Sequence, residues 1–263
     1  MFFRLSTLEV GLILFAIVLG ATAIGLLLGR YLRHRSEHLR EPVGVLQAAL
    51  LGLVGLILAF GLALAVGRYE SRRTAVVDEA NAIGTTYLRA QTLAEPIRTQ
   101  SLERLVRYAD TSIALSESIP NSAKEQAAIA DGQRLQRELW GLAGQALADE
   151  PVDSAPRLYV ETLNEMIDMQ TVRVAALNNR VPGAVLAVEV GGAAVALALL
   201  AFYLSILGRG VGTVLLAAGL ITALLLVTFD LDRPTRGLIQ VPDTPLVDLR
   251  ASMELPPAAS APE

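Results

Sequence analysis

The chain has 263 residues, 53% of them hydrophobic and 18% charged, with a formal net charge of −4. That balance is too apolar for a soluble domain of this length and identifies a membrane protein. The absence of cysteine excludes a disulfide scaffold, Cys-ligated zinc or iron–sulfur sites and a Cys nucleophile, and the negative balance gives nucleic acid no footing as a partner.

Four stretches reach the roughly 20 apolar residues needed to cross about 30 Å of hydrocarbon: Val10 to Gly29, Val43 to Gly67, Pro182 to Leu207 and Gly210 to Phe229. They pair into two hairpins. Residues 1–67 form the first (spans about 8–29 and 45–67), 68–181 a polar block, 182–229 the second (spans about 182–207 and 210–229), 230–250 a membrane-proximal tail packing on the block, and 251–263 a Pro- and Ala-rich tail expected to be disordered. The fold class expected is therefore all-α integral membrane, oligomeric by the resemblance given below.

The first stretch follows Arg4 and contains Ala21-Thr22-Ala23, a small-residue pattern like a signal cleavage site. Its apolar run continues to Leu28, longer than a signal h-region, so it reads as a crossing. The loop after it, "GRYLRHRSEHLREP", places His34 and His38 four apart among four arginines. Those neighbours point to a solvated loop at the lipid surface and not to a metal site.

In the second stretch "LILAFGLALAVGRYESRR" runs from lipid-soluble residues straight into charge with no Pro or turn cluster between them. Gly52, Gly55, Ala59, Gly61, Ala63 and Ala65 leave this helix thin, and small residues let helices approach closely in a membrane. Leu56, Phe60 and Leu64 lie four apart. Around a shared axis they would stack as three apolar rings, a constriction that gates by dewetting. The same spacing also describes an ordinary packing stripe. Arg68, Arg72 and Arg73 follow at the mouth, where they either raise local anion concentration or bind lipid headgroups.

The block carries 13 basic and 16 acidic residues, a balance suited to water, and reads as helical throughout. In "RRTAVVDEANAIGTTYLRA" the residues Val76, Ala80, Ile83 and Tyr87 share one face. Glu79, Asn81 and Tyr87 are expected to make polar contacts between helices or subunits. Pro96 ends or bends this helix. A second helix shows Leu102, Leu105, Val106, Ala109 and Ile113 on one stripe to about Ser118, and Ser122 with Glu125 has capping-box spacing for a third running to about Ala148. After "DEPVDSAP", Ser154 is expected to cap a last helix that reaches Asn179 and enters the third crossing at Pro182.

Glu189 lies seven residues beyond Pro182, about 10 Å along a helix. An ionisable residue at that depth costs several kcal/mol without a cavity or partner, so it marks a pathway or a neutralised or hydrogen-bonded helix contact. Asp230, Asp232 and Asp243 are hard oxygen donors, but "DLDRP" offers two carboxylates where calcium takes at least about six oxygens. No metal and no cofactor is assigned. Counting Lys and Arg near the spans, Arg4, Arg68, Arg72, Arg73, Arg173, Arg180, Arg233 and Arg236 stand against Arg30, Arg33, Arg35, Arg40 and Arg209. The excess places both termini and the block in the cytoplasm.

The stretch "LILAFGLALAVGRYESR" resembles the second transmembrane helix of the bestrophin channels, in which an apolar neck with a Phe is followed eight residues later by Arg and two aromatic residues. Here Arg68 and Tyr69 keep that pattern and Glu70 departs from it. "RRTAVVDEANAIGTTYLRA" with "DLDRPTRGLIQVPDTPL" resembles the bacterial bestrophin-like membrane family over nearly the whole chain. The dense acidic run of the bestrophin calcium clasp is missing. The resemblance implies a homo-oligomer, a pentamer in bestrophins, in the bacterial inner membrane. Its partners would be further copies of the chain, membrane lipids and small inorganic ions, and the second helix would line the ion pathway. The rival reading is a membrane signalling or scaffolding protein without conductance. A secondary transporter is weaker, since no inverted repeat with broken helices is visible. No Gly-x-Ser-x-Gly, P-loop or dinucleotide fingerprint suggests an enzyme.

Overall fold

A computed structural model describes residues 6–33, 40–120, 122–208, 210–233, 235 and 237–258. Arg4, His34, Arg35, His38, Arg209 and Arg236, which entered the expectations above, lie outside them. Among the described residues there are eight helices and no strand: α1 Thr7–Leu32, α2 Arg40–Ala90, α3 Ile97–Ser116, α4 Ala123–Asp149, α5 Ser154–Asn178, α6 Gly183–Ile206, α7 Val211–Leu231 and α8 Thr244–Ser252. Four apolar helices are long enough to cross a membrane. The chain folds as two compact units, residues 1–69 with 180–240 and residues 70–179 with 241–263.

The spanning unit contains α1, the first part of α2, α6 and α7. Ser6 starts α1 through a capping box, its hydroxyl accepting from the Glu9 amide while the Glu9 carboxylate accepts from the Ser6 amide. In lipid there is no water to expel, so backbone approach decides which helices meet. Gly25 and Gly29, one turn apart on α1, supply it. A Cβ on Gly25 would collide with the Ala198 carbonyl oxygen, and one on Gly29 would stand 2.7 Å from that of Phe202. Ser205 adds a hydrogen bond from its hydroxyl to the Leu26 carbonyl at 3.1 Å. Val18, Val54, Leu58, Ala193, Leu197, Ala218 and Leu225 form the buried centre.

The turn after α7 is held by carboxylates. Asp230 accepts from the amides of Leu238 at 2.9 Å and Ile239 at 2.8 Å and from the Thr7 hydroxyl at 3.1 Å, while Asp232 accepts from the Val181 amide at 3.0 Å. These acids therefore satisfy backbone donors that would otherwise be left unpaired.

The polar unit packs the remainder of α2 with α3, α4, α5 and α8. Ile83, Leu105, Tyr108, Leu135, Leu139, Tyr159, Leu163 and Met166 are its buried centre, each apolar side chain worth roughly 1.5–3 kcal/mol on burial. Tyr87, Leu102, Val106 and Ile113 pack against it half-buried. One bound differs from expectation. Asp153, not Ser154, caps α5, because Asp153 has the extended backbone of a cap and accepts from the Ala155 amide at 3.3 Å. At the other end α5 stops at Asn178 and α6 starts after Pro182, which has no amide to continue a helix. Order also continues past Ala251: α8 runs to Ser252, Met253 is buried, and the Ala258 amide donates to Gln91 at 2.8 Å.

Candidate functional site

Helix α2 presents two contrasting sides in the spanning unit. Val54, Leu58, Gly61 and Ala65 are buried, whereas Leu56, Phe60 and Leu64 are 54%, 64% and 45% exposed. The large ring and its two neighbours thus share the side that the chain's own helices leave uncovered. Gly52, Gly55 and Gly67 are open as well, and a Cβ on any of them would meet nothing within 4 Å.

Next to Phe60 and about 100° around the helix, Gly61 does meet something. A Cβ there would overlap a carboxylate oxygen of Glu189 on α6, so the missing side chain is the notch that admits the carboxyl. Glu189 is fully buried, and neither of its oxygens has a hydrogen-bond partner among the described residues. It is a helix contact sealed from water, and no described arginine pairs with it.

The three mouth arginines part company. Arg68 is half-buried and donates back to the Leu64 carbonyl at 3.4 Å, and Arg73 is exposed beside Glu70 at 3.6 Å. Arg72 is 1% exposed. It donates to the carbonyls of Ala176 at 3.3 Å and Asn179 at 2.7 Å, at the end of α5. The last carbonyls of a helix lack intrahelical donors and carry partial negative charge, so an arginine there is a cap. The expected cluster of Arg68, Arg72 and Arg73 is therefore corrected: Arg72 is structural.

The three polar residues of the next turns also differ from one another. Glu79 is buried and pairs with Arg173 of α5, and accepts from the Ser112 hydroxyl at 3.2 Å. Arg173 in turn donates to the Ser112 carbonyl at 3.0 Å and to the Ser116 hydroxyl. Beside this pair, Gln136 donates to the Tyr108 hydroxyl at 3.1 Å and to Gln170 at 2.8 Å. Tyr87 reaches the Met253 carbonyl at 3.1 Å. Asn81 makes no such contact among the described residues, because it stands on the exposed side of α2. Sequence reasoning passed over Arg173 as a partner, 94 positions from Glu79, for which no local signal exists. It also passed over Gly25 and Gly29, whose four-residue spacing was a readable signal.

A profile of the Bestrophin-like domain matches residues 12–246. The chain belongs to the bestrophin-like family. Two solved structures of point variants of a bacterial bestrophin homologue from Klebsiella pneumoniae superpose with a TM-score of 0.61 each. They are 13% and 16% identical in sequence and cover 90% of this chain and 97% and 95% of theirs. A solved structure of a point variant described only as a membrane protein superposes with a TM-score of 0.65 at 14% identity, covering 90% of this chain and 97% of its own. At these identities the likeness is one of fold. No curated protein matches the chain by sequence. The bestrophin-like chain is accordingly an all-helical integral membrane protein of a family associated with ion channels.

Proposed function

We propose that this protein is an oligomeric ion channel in which copies of α2 surround a central axis, with Leu56, Phe60 and Leu64 as its apolar neck and small inorganic ions as its cargo. The observation that carries the proposal is the uncovered side of α2. Glycine within a helix costs about 1 kcal/mol relative to alanine. No described residue comes within 4 Å of a Cβ at Gly52, Gly55 or Gly67, so a neighbour outside the chain supplies a physical reason for them. A second copy of the same helix is that neighbour, and membership of the bestrophin-like family supports a pentamer. The Glu189 carboxyl, seated in the Gly61 notch, then fixes the rotation of α2 that turns Phe60 toward the axis. Residues 68–181 form the cytoplasmic domain in this reading, with both termini on the same side of the inner membrane and Arg68 and Arg73 close to lipid headgroups.

Purified protein in planar bilayers tests this directly. Conductance that rises severalfold on Phe60→Ala, because a ring of methyl groups dewets less readily than a ring of phenyls, is the expected result. Silence of both proteins in potassium, sodium and chloride salts removes the channel reading and leaves the scaffold.

A further inference from the structure

Apolar rings dehydrate ions of either sign, so a neck built from Leu56, Phe60 and Leu64 leaves charge preference to other residues of the same helix face. That face can be followed residue by residue. Along an α-helix, residues recur on one line when steps of three and four alternate to average 3.6. From Phe60 this traces Gly67, Ser71, Thr74, Asp78, Asn81 and Thr85, and all of them are exposed. Asp78 is 18 residues from Phe60, a whole number of turns by the period of α2, and it is exposed within its own unit.

Beyond the apolar ring the face is thus small and hydrogen-bonding, with a single fixed charge between Phe60 and Thr85. Asp78 has neither a hydrogen bond nor an ion pair among the described residues. Between Phe60 and Asp78 the basic residues of α2 leave the helix in other directions. Arg72 is consumed in capping α5, and Arg68 and Arg73 leave the helix about 80° and about 140° away from the Phe60 direction at 100° per residue. Arg89 does continue the line, three turns past Asp78 in the last turn of α2, but it is half-buried with one guanidinium nitrogen shut off from solvent.

Resting on the channel reading above, we propose that Asp78 is a selectivity residue, repeated once per subunit as a carboxylate ring that makes the conduit prefer cations to anions. One carboxylate in water exerts about 1 kcal/mol at 4 Å on a passing ion. Several converging on one axis add, and a low-dielectric wall concentrates their field. The hydroxyls of Ser71 and Thr74 and the amide of Asn81 then supply hydration substitutes without opposing the sign.

The test is the permeability ratio of potassium to chloride, measured across planar bilayers of neutral lipid in a tenfold KCl gradient for the full chain. The wild type should favour potassium, Asp78→Asn should lower the ratio severalfold, and Asp78→Lys should invert it. Because Asp78 pairs with no described residue, both variants should elute like the wild type on size exclusion. Raising KCl to about 1 M, where the screening length is about 3 Å, should reduce the preference of the wild type without any substitution. Equal ratios in wild type and both variants, with conductance still raised by Phe60→Ala, overturn the selectivity assignment and leave the channel standing. Absence of conductance in wild type and Phe60→Ala alike overturns the channel reading and this inference with it.

Discussion

Single side chains in this protein are placed by what they can pair with. Glu79 and Arg173 form a fully buried ion pair, and breaking such a pair by removing one partner leaves an unmatched charge at a cost of about 3–5 kcal/mol. Glu79→Gln and Arg173→Met are each expected to lower the unfolding temperature strongly in detergent. The double variant should lose less than the sum of the two, and strict additivity would show that the pair is not coupled. Tyr159 gives a pH signature. Burial pushes its phenol up to about 12 against weaker opposing pulls from Ser101 and Arg104, while an unfolded tyrosine titrates near 10. Between those values the unfolded chain holds fewer protons than the folded one, so stability should be complete below pH 10 and fall as pH rises toward 12. Burial, then the nearby Glu79 carboxylate, raises Tyr108 in the same sense. Thermal unfolding at pH 9 and pH 11 should show the loss, and Tyr159→Phe should shrink it; a Phe variant with the same pH slope as wild type would exclude Tyr159 as a contributor.

At the scale of helices, close approach matters more than apolar area. The contact of α1 with α6 depends on Gly25, where any Cβ collides with backbone and not with a side chain that could swing away. Gly25→Ala should therefore separate the two helices and sharply reduce the yield of monodisperse protein. Gly20→Ala, five residues earlier and with no described residue within 4 Å of its Cβ position, should be harmless or stabilising by up to about 1 kcal/mol. If both substitutions behaved alike, the packing account of α1 would be wrong. Helix periodicity also explains why the arginine cluster divides. Steps of four drift about 40° per step, so the series Leu56, Phe60, Leu64, Arg68, Arg72 winds steadily around α2 and ends on its buried side. Only alternating steps of three and four stay on one line, and that line leads to Asp78.

For the molecule as a whole, the functional reading depends on more than one copy of a 28.0 kDa chain meeting at α2. Light-scattering mass in detergent should return a multiple of the chain mass, with five copies expected from the family. A monomer under conditions where the protein is active in bilayers would end the central-axis proposal.

Hydropathy, the 3.6-residue period and cap-forming residues act locally, which is why the four spans, the helical block and the all-α class could be read from the residues in order. The start of α4 at Ser122 followed from the same local chemistry. What a side chain meets across space is set by residues far away in the chain, and no pattern within one helix encodes it. The notch of Gly61 for Glu189, the pairing of Glu79 with Arg173 and the turning-in of Arg72 toward the end of α5 were therefore decided only when the helices packed, since each depends on the rotation of one helix against another.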